Sequence, residues 1–270
     1  MVGEINNIIV IESLGAERKT GNELYNDCIR RQIEYRQSKI SHNFYDVQNR
    51  DNFIELIKYY QANSPYIQGG ILLHLEMHGD KDAGGLRFAD NSLILWSELV
   101  NLLRPINVNT CNNLYVSLAT CDGRFMYLGV DPNLKSPYSC YISASETVKP
   151  SEIIDQYLPL FEELIRHGNL VKAYLDSENK DSKFYYKDSE TIFEEAYQVT
   201  AARWKTENSI KEEVMKEAEE EIKRQRLKMP NDAEFDFIMN LALKHTYERY
   251  KKALDFSDCK LTSSQKTDPL

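Results

Sequence analysis

The 270 residues, 42% hydrophobic and 11% aromatic, are enough for one large domain or one domain with a smaller companion. A net charge of −9, from 33 basic and 42 acidic residues with no basic arm or stripe, excludes a general nucleic-acid binder, because phosphate contacts need clustered Lys and Arg. No apolar run reaches the length of a membrane-spanning helix and Met1–Glu4 carries no basic n-region, so neither a membrane partner nor a secretory leader is expected.

Residues 6–14 (NNIIVIESL) read as a buried strand. Gly15 and Gly21 bracket a polar turn that leads into a helix over 22–37, and HNFYDV (42–47) reads as a second strand. Asn49, Arg50 and Asp51 offer caps to a helix carrying Phe53, Leu56, Ile57 and Tyr60. After Gly69-Gly70 comes GILLHLEMHGD, nearly continuous in apolar residues, which predicts a strand buried on both faces and ending at His78. LRFADNSLIL (86–95) predicts a hairpin turning at Asp90-Asn91; a helix begins at Trp96-Ser97-Glu98-Leu99 and is ended by Pro105. NNLYVSLATCDG then predicts a second fully buried strand, ending at Cys121, and YSCYISA (138–144) another. Pro150-Ser151-Glu152 starts a helix capped by Ser151 and closed at Gly168. This alternation implies an α/β fold with a mostly parallel sheet. Past Asp176 the chain turns polar and then helical: over 193–204, through the Glu/Lys/Arg-rich run 205–228, and again from Pro230-Asn231-Asp232. The expected division is an α/β domain over 1–176, a helical extension over 185–257 and a disordered tail over 258–270.

The five cysteines (Cys28, Cys111, Cys121, Cys140, Cys259) are odd in number, scattered, and form no Cys-x-x-Cys pair. Neither a zinc site nor a disulfide framework is expected, which fits a cytoplasmic chain needing no metal or cofactor. Four of them have no reactive context and read as structural. Cys121 differs. It ends a buried strand and is followed by Asp122-Gly123, just as His78 ends another and is followed by Gly79. Chemistry in parallel sheets sits at the carboxyl ends of strands, so two neighbouring strands would bring His78 and Cys121 together. A thiolate attacks a carbonyl and an imidazole takes its proton. The N–H groups of Gly79 and Cys121 are candidates for an oxyanion hole. His74, on the same face but deeper in the strand, reads as buried, while His42, His167 and His245 read as incidental.

The pattern LHLEMHGDKDAGGLRFADNSLILWSELVNLL…NLYVSLATCDG resembles the CHAT and caspase-like cysteine peptidases of the caspase–separase–gingipain group (clan CD), of free-standing bacterial type. The resemblance covers roughly residues 5–175. It implies a three-layer sandwich, Cys121 as nucleophile, His78 as base, and hydrolysis of peptide bonds through a thioester without a metal. The sequence departs from the caspase Gln-Ala-Cys-x-Gly with Ala119-Thr120-Cys121-Asp122-Gly123, and only Arg87 and Arg124 lie near its key turns. Asp80, Asp122 and Glu146 lie closer, so an acidic pocket taking a basic residue before the scissile bond is expected.

The resemblance further implies a protein substrate encoded nearby, such as a gasdermin-like pore former in bacterial defence or regulated cell death. Such an enzyme is expected to be kept quiet until needed by a partner, a signal or its own cleavage, and the helical C-terminal region is a candidate docking surface for a regulatory partner. The alternative from another class is a catalytically silent module that scaffolds a complex. A nucleotide-binding α/β domain has no support, since Glu12-Ser13-Leu14-Gly15-Ala16 is not a phosphate loop.

Overall fold

A computed structural model describes residues 3–259, apart from 83, 132, 178–181, 207–211, 213, 214, 217–221, 226, 227 and 229. The apolar runs form the sheet the sequence predicts. Its strands are β1 (Ile5–Ser13), β2 (Ser41–Asp46), β3 (Gly70–Asp80), β6 (Leu114–Leu118), β7 (Cys140–Ala144) and β8 (Phe184–Asp188), in the order β2-β1-β3-β6-β7-β8. All neighbours are parallel except β8, which is antiparallel to β7. A hairpin of β4 (Gly85–Arg87) and β5 (Leu93–Leu95) grows antiparallel from the end of β3 and pairs His78 with Arg87. The mixed α/β class with a mostly parallel sheet is therefore the observed one.

Helices cover the sheet. On one face a buried cluster joins Ile8, Val10, Leu72, Tyr115 and Ile142 of the strands to five helical segments. Leu24, Cys28, Ile29 and Ile33 come from α1 (Thr20–Leu24), a π-helical turn (Tyr25–Arg30) and α2 (Arg31–Arg36). Tyr157, Leu160, Phe161 and Leu164 come from α5 (Pro150–His167), and Leu170 and Ala173 from α6 (Leu170–Asp176). Elsewhere α3 (Arg50–Asn63) packs on α4 (Trp96–Asn109), burying Phe53, Ile57, Leu99 and Leu103. Asn49 caps α3 as expected, accepting from the Asn52 N–H at 2.8 Å.

Several expectations need correcting. Pro105 does not end α4, which runs on to Asn109. Pro105 and Asn101 both lie on the exposed side, where the carbonyl deprived of its partner meets water, while Ile106 and Asn107 continue the buried stripe. Lys149, not Ser151, caps α5: Pro150 takes the first helical position and the Glu152 carboxylate accepts the Lys149 N–H at 2.7 Å. β6 stops at Leu118, so Cys121 lies three residues beyond its strand. Residues 184–188 (FYYKD), partly inside the range expected to be helical, form β8 instead, with Phe184 buried and its neighbours alternating outward. Cys111 and Cys259, taken as unpaired, form a disulfide with Cα atoms 5.4 Å apart.

Two compact units emerge. The first comprises residues 1–189 and 256–270, and the second Glu190–Asp255. The described tail, Phe256–Cys259, thus belongs to the first unit; the rest of the tail lies outside the described residues, as does most of the run 205–228. Within the second unit, α7 (Ser189–Thr206) and α8 (Asp232–Leu254) meet through aromatic rings: Phe193 stacks on Tyr250 at 3.5 Å and Tyr197 meets Tyr247 at 4.4 Å. Asn231 caps α8 by accepting the Glu234 N–H at 3.0 Å. Among the described residues no helix is long and apolar enough to cross a membrane.

Candidate functional site

β3 and β6 run side by side from Ile71–Leu114 to Leu75–Leu118, and the Ala119 N–H still donates to the Leu75 carbonyl at 2.9 Å. Beyond that point the two chain ends carry Met77-His78-Gly79 and Thr120-Cys121. A Cβ placed on Gly79 would lie 1.8 Å from the Cys121 carbonyl oxygen and 2.8 Å from Thr120 Oγ1. Only glycine fits there, and that close approach sets the backbone of the His78 turn against that of Cys121. Asp122 follows in the left-handed region at φ +54°, so the chain turns sharply away after the nucleophile candidate and enters a 3-10 segment, Gly123–Gly129.

Of the three free cysteines, Cys121 alone is partly exposed. Cys28 and Cys140 are buried; burial pushes the Cys28 thiol up to about 12 and raises that of Cys140 as well. Neither reaches solvent as a thiolate, so nucleophilic chemistry falls to Cys121. Its sulfur rests on the backbone of Val148, in the loop between β7 and α5, and accepts the Val148 N–H at 3.4 Å. His78 turns its Nε2 to the Glu17 carboxylate at 3.2 Å. Among the described residues no hydrogen bond joins His78 to Cys121. A carboxylate only accepts, so a neutral His78 in this contact carries its proton on Nε2 and leaves Nδ1 as the basic nitrogen.

Glu17 sits on the polar turn after β1 and was missed in the sequence, where it is one acid among several. The turn is anchored from below. Glu12 of β1 and Glu76 of β3 are fully buried. Glu12 accepts the N–H groups of Gly21 and Asn22 at 2.9 and 3.2 Å, and Thr20 donates its hydroxyl to Glu76. Glu76 also meets His74 Nε2 at 2.9 Å, and His74 Nδ1 meets Ser117 Oγ at 2.7 Å. One buried polar chain thus runs from the Glu17 turn across β3 to β6, the strand that leads to Cys121. Burial raises the Glu12 carboxyl, against the lowering effect of its two backbone donors, and the neighbouring Glu76 charge adds to the rise. Lys19, 3.6 Å from Glu12 Oε1, offsets part of it. His74 is buried, as expected. The readable signal was an acid inside each of two otherwise apolar strands.

The three acids expected to line a substrate pocket are spread out. Asp80 is ion-paired with Arg87 across the β3–β4 ladder, and Glu146 lies 3.6 Å from Lys183. Asp122 and Glu146 are brought together by their backbones, the Asp122 N–H donating to the Glu146 carbonyl at 3.3 Å. A potential metal-binding group away from this site, Glu163, His167 and Asp176, has ligand atoms within 4.8 Å of one another. It already carries cations, with Arg166 at 3.0 Å from Glu163 and Lys172 Nζ at 3.3 Å from His167 Nδ1.

No protein-family model matches the chain, and no curated protein matches its sequence. Its fold is similar to that of the initiator caspase Dronc of Drosophila, at 14% identity and TM-score 0.45 over 70% of this chain and 82% of that one. It is also similar to a secreted C11 cysteine protease of Bacteroides thetaiotaomicron, solved with an irreversible peptide inhibitor, at 10% identity and TM-score 0.40. That match covers 64% of this chain and 57% of the protease chain. Likeness at this level carries no argument, and the functional reading rests on the site itself.

Proposed function

We propose that the chain is a cysteine endopeptidase of the caspase-like, CHAT-related group, with Cys121 as nucleophile and His78 as base. The observation that carries this is the contact of Gly79 with the Cys121 carbonyl. It sets the backbone that carries the single partly exposed free thiol against the backbone of the turn that carries the His78 imidazole, beyond two adjacent parallel strands. In the proposed reaction the Cys121 thiol gives its proton to His78 Nδ1 and the sulfur adds to the scissile carbonyl carbon. The N–H groups of Gly79 and Cys121 stabilise the oxyanion. The adduct collapses to a thioester as the amine leaves with the proton from His78, and water then releases the acid. No metal enters this scheme.

Recognition of a basic residue before the scissile bond falls mainly to Asp122, because Asp80 and Glu146 already face Arg87 and Lys183. The partner class, a gasdermin-like pore former or another effector encoded nearby, and a regulator held by the second unit belong to the proposal on the strength of the sequence resemblance alone. The cytoplasmic placement stands against the disulfide, since thiols there are kept reduced. The test compares wild type with Cys121→Ala and His78→Ala on peptide libraries carrying Lys, Arg or Asp before the scissile bond, with cleavage read by mass spectrometry. Cuts after Lys or Arg that vanish in both variants are expected. A folded wild type that neither cleaves nor is alkylated at Cys121 by a thiol-directed peptide electrophile makes the chain a silent scaffold.

A further inference from the structure

A cavity of about 300 Å³ opens beside the nucleophile loop, lined by Arg124, Ser143, Ser145, Tyr185 and Lys187. In the β7–β8 ladder Ser143 lies opposite Tyr185 and Tyr141 opposite Lys187. Opposed residues, and residues two apart on a strand, share a face, so these four stand on one side of the sheet. Arg124, three residues after Cys121, is held over that face: the Tyr141 hydroxyl donates to the Arg124 carbonyl at 3.1 Å, and the guanidinium lies 4.7 Å from the Phe125 ring centroid. Ser143, 1% exposed, forms the floor.

The lining holds two cations and three hydroxyls and no carboxylate. Among the described residues neither Arg124 nor Lys187 makes an ion pair. The chain carries nine more acids than bases, so two unpaired cations converging on one hollow are a departure from its own average. A carboxylate offers two oxygens and one charge. A phosphate monoester offers three peripheral oxygens and close to two charges, which matches this donor set better.

We propose that this cavity binds a phosphate monoester. Arg124 and Lys187 meet its charge and the hydroxyls of Ser143, Ser145 and Tyr185 meet its oxygens, so that a bound phosphate ties the loop after Cys121 to β7 and β8. The group belongs either to a small phosphorylated metabolite or to a phosphorylated side chain of a protein.

The test is calorimetric titration of the full-length chain at pH 8 and low salt with inorganic phosphate, free phosphoserine, a phosphoserine peptide, and the same peptide with Ser or Glu in that place. Saturable binding of phosphate is expected, weakened roughly tenfold or more in Arg124→Ala and in Lys187→Ala but kept in Lys58→Ala, an exposed position on α3. Thermal melts establish that each variant is folded. Phosphopeptide binding tighter than free phosphoserine assigns the site to a phosphorylated protein, and equal binding assigns it to a small metabolite. Absence of saturable phosphate binding in the folded wild type overturns the proposal. So does binding unchanged in both variants, or a Glu peptide that binds as well as the phosphopeptide. None of these readings needs turnover, so failure here leaves the peptidase reading untouched, and failure of the peptidase reading leaves this one standing.

Discussion

Breaking the Cys111–Cys259 bond should cost this protein most of the stability that any single substitution can remove. The bond spans 148 residues, and closing a loop of that size in the unfolded chain removes about 17 cal/mol/K of entropy in the chain-entropy model, or about 5 kcal/mol at 25 °C. For comparison, whole domains are stable by about 5–15 kcal/mol. The loop runs through β6, Cys121, α5 and the entire second unit, so its release loosens the unfolded ensemble over more than half the chain. The native side of the balance is local. Cys111 follows α4, and the tail segment is held further by Lys135, whose ammonium lies 5.0 Å from the Phe256 ring. Guanidinium denaturation of Cys259→Ser, Cys111→Ser and the double variant should give the same loss, close to that seen when the wild type is treated with reductant, and reductant should not move the variants. Alkylation in denaturant before reduction should modify three of the five cysteines. All five modified in air-exposed protein unfolded in denaturant without reductant would refute the pairing. A loss under about 1 kcal/mol with the bond demonstrated by mass would refute the entropic accounting.

Three other outcomes follow from the site. Gly79→Ala places a methyl group 1.8 Å from a backbone oxygen that cannot step aside, so a loss of roughly 3 kcal/mol or more is expected by thermal melt, together with loss of Cys121 alkylation. Glu17→Gln removes an exposed ion pair worth at most about 1 kcal/mol, so kcat should fall no more than about fivefold with KM unchanged, and a hundredfold loss would mean that Glu17 does more than hold the imidazole. Glu12→Gln should flatten the pH dependence of stability. The folded Glu12 carboxyl is raised, so above the ordinary glutamate value the native state keeps a proton that the unfolded state has released; stability falls as pH rises through that window up to the raised value, and the amide has no proton to lose. Melting temperatures across pH 4–9 check this (roughly the range over which a buried carboxyl titrates).

The parallel strands and the approach of the His78-Gly79 turn to the Cys121 backbone were legible because each writes a local signal: an uninterrupted apolar run, then a reactive residue, then glycine. What escaped depends on contacts far apart in sequence. Cys111 and Cys259 look alike whether paired or free, since nothing within either segment encodes the other. β8 escaped because an edge strand of five residues alternates outward with Tyr and Lys and offers one buried Phe184 as its apolar signal. Pro105 misled because its cost is set by which side of the helix faces water, which the local sequence does not state. Glu17 is an ordinary surface acid until Glu12 and Glu76 hold its turn over β3, and those two acids could have been noticed as charges inside buried strands.

The resting contacts of the proposed dyad also bear on whether an activator is needed. The Cys121 sulfur meets the Val148 backbone through its N–H at 3.4 Å and, weakly, its carbonyl at 3.9 Å, and His78 meets one carboxylate that is 65% exposed. A neutral hydrogen bond contributes about 1 kcal/mol net, less for a sulfur acceptor, and an exposed ion pair about 1 kcal/mol at most. Even with both broken the cost to closure of the dyad is only about 2 kcal/mol, and the Glu17 contact on Nε2 can stay in place while Nδ1 takes the proton. A substrate bound with a Kd of 1 mM already brings about 4 kcal/mol. These two contacts therefore do not form a lock. If the full-length chain is inert toward peptides while a small electrophile still alkylates Cys121, the block lies in access to the cleft or in the loop after Cys121, and the contacts to Val148 and Glu17 are not its cause.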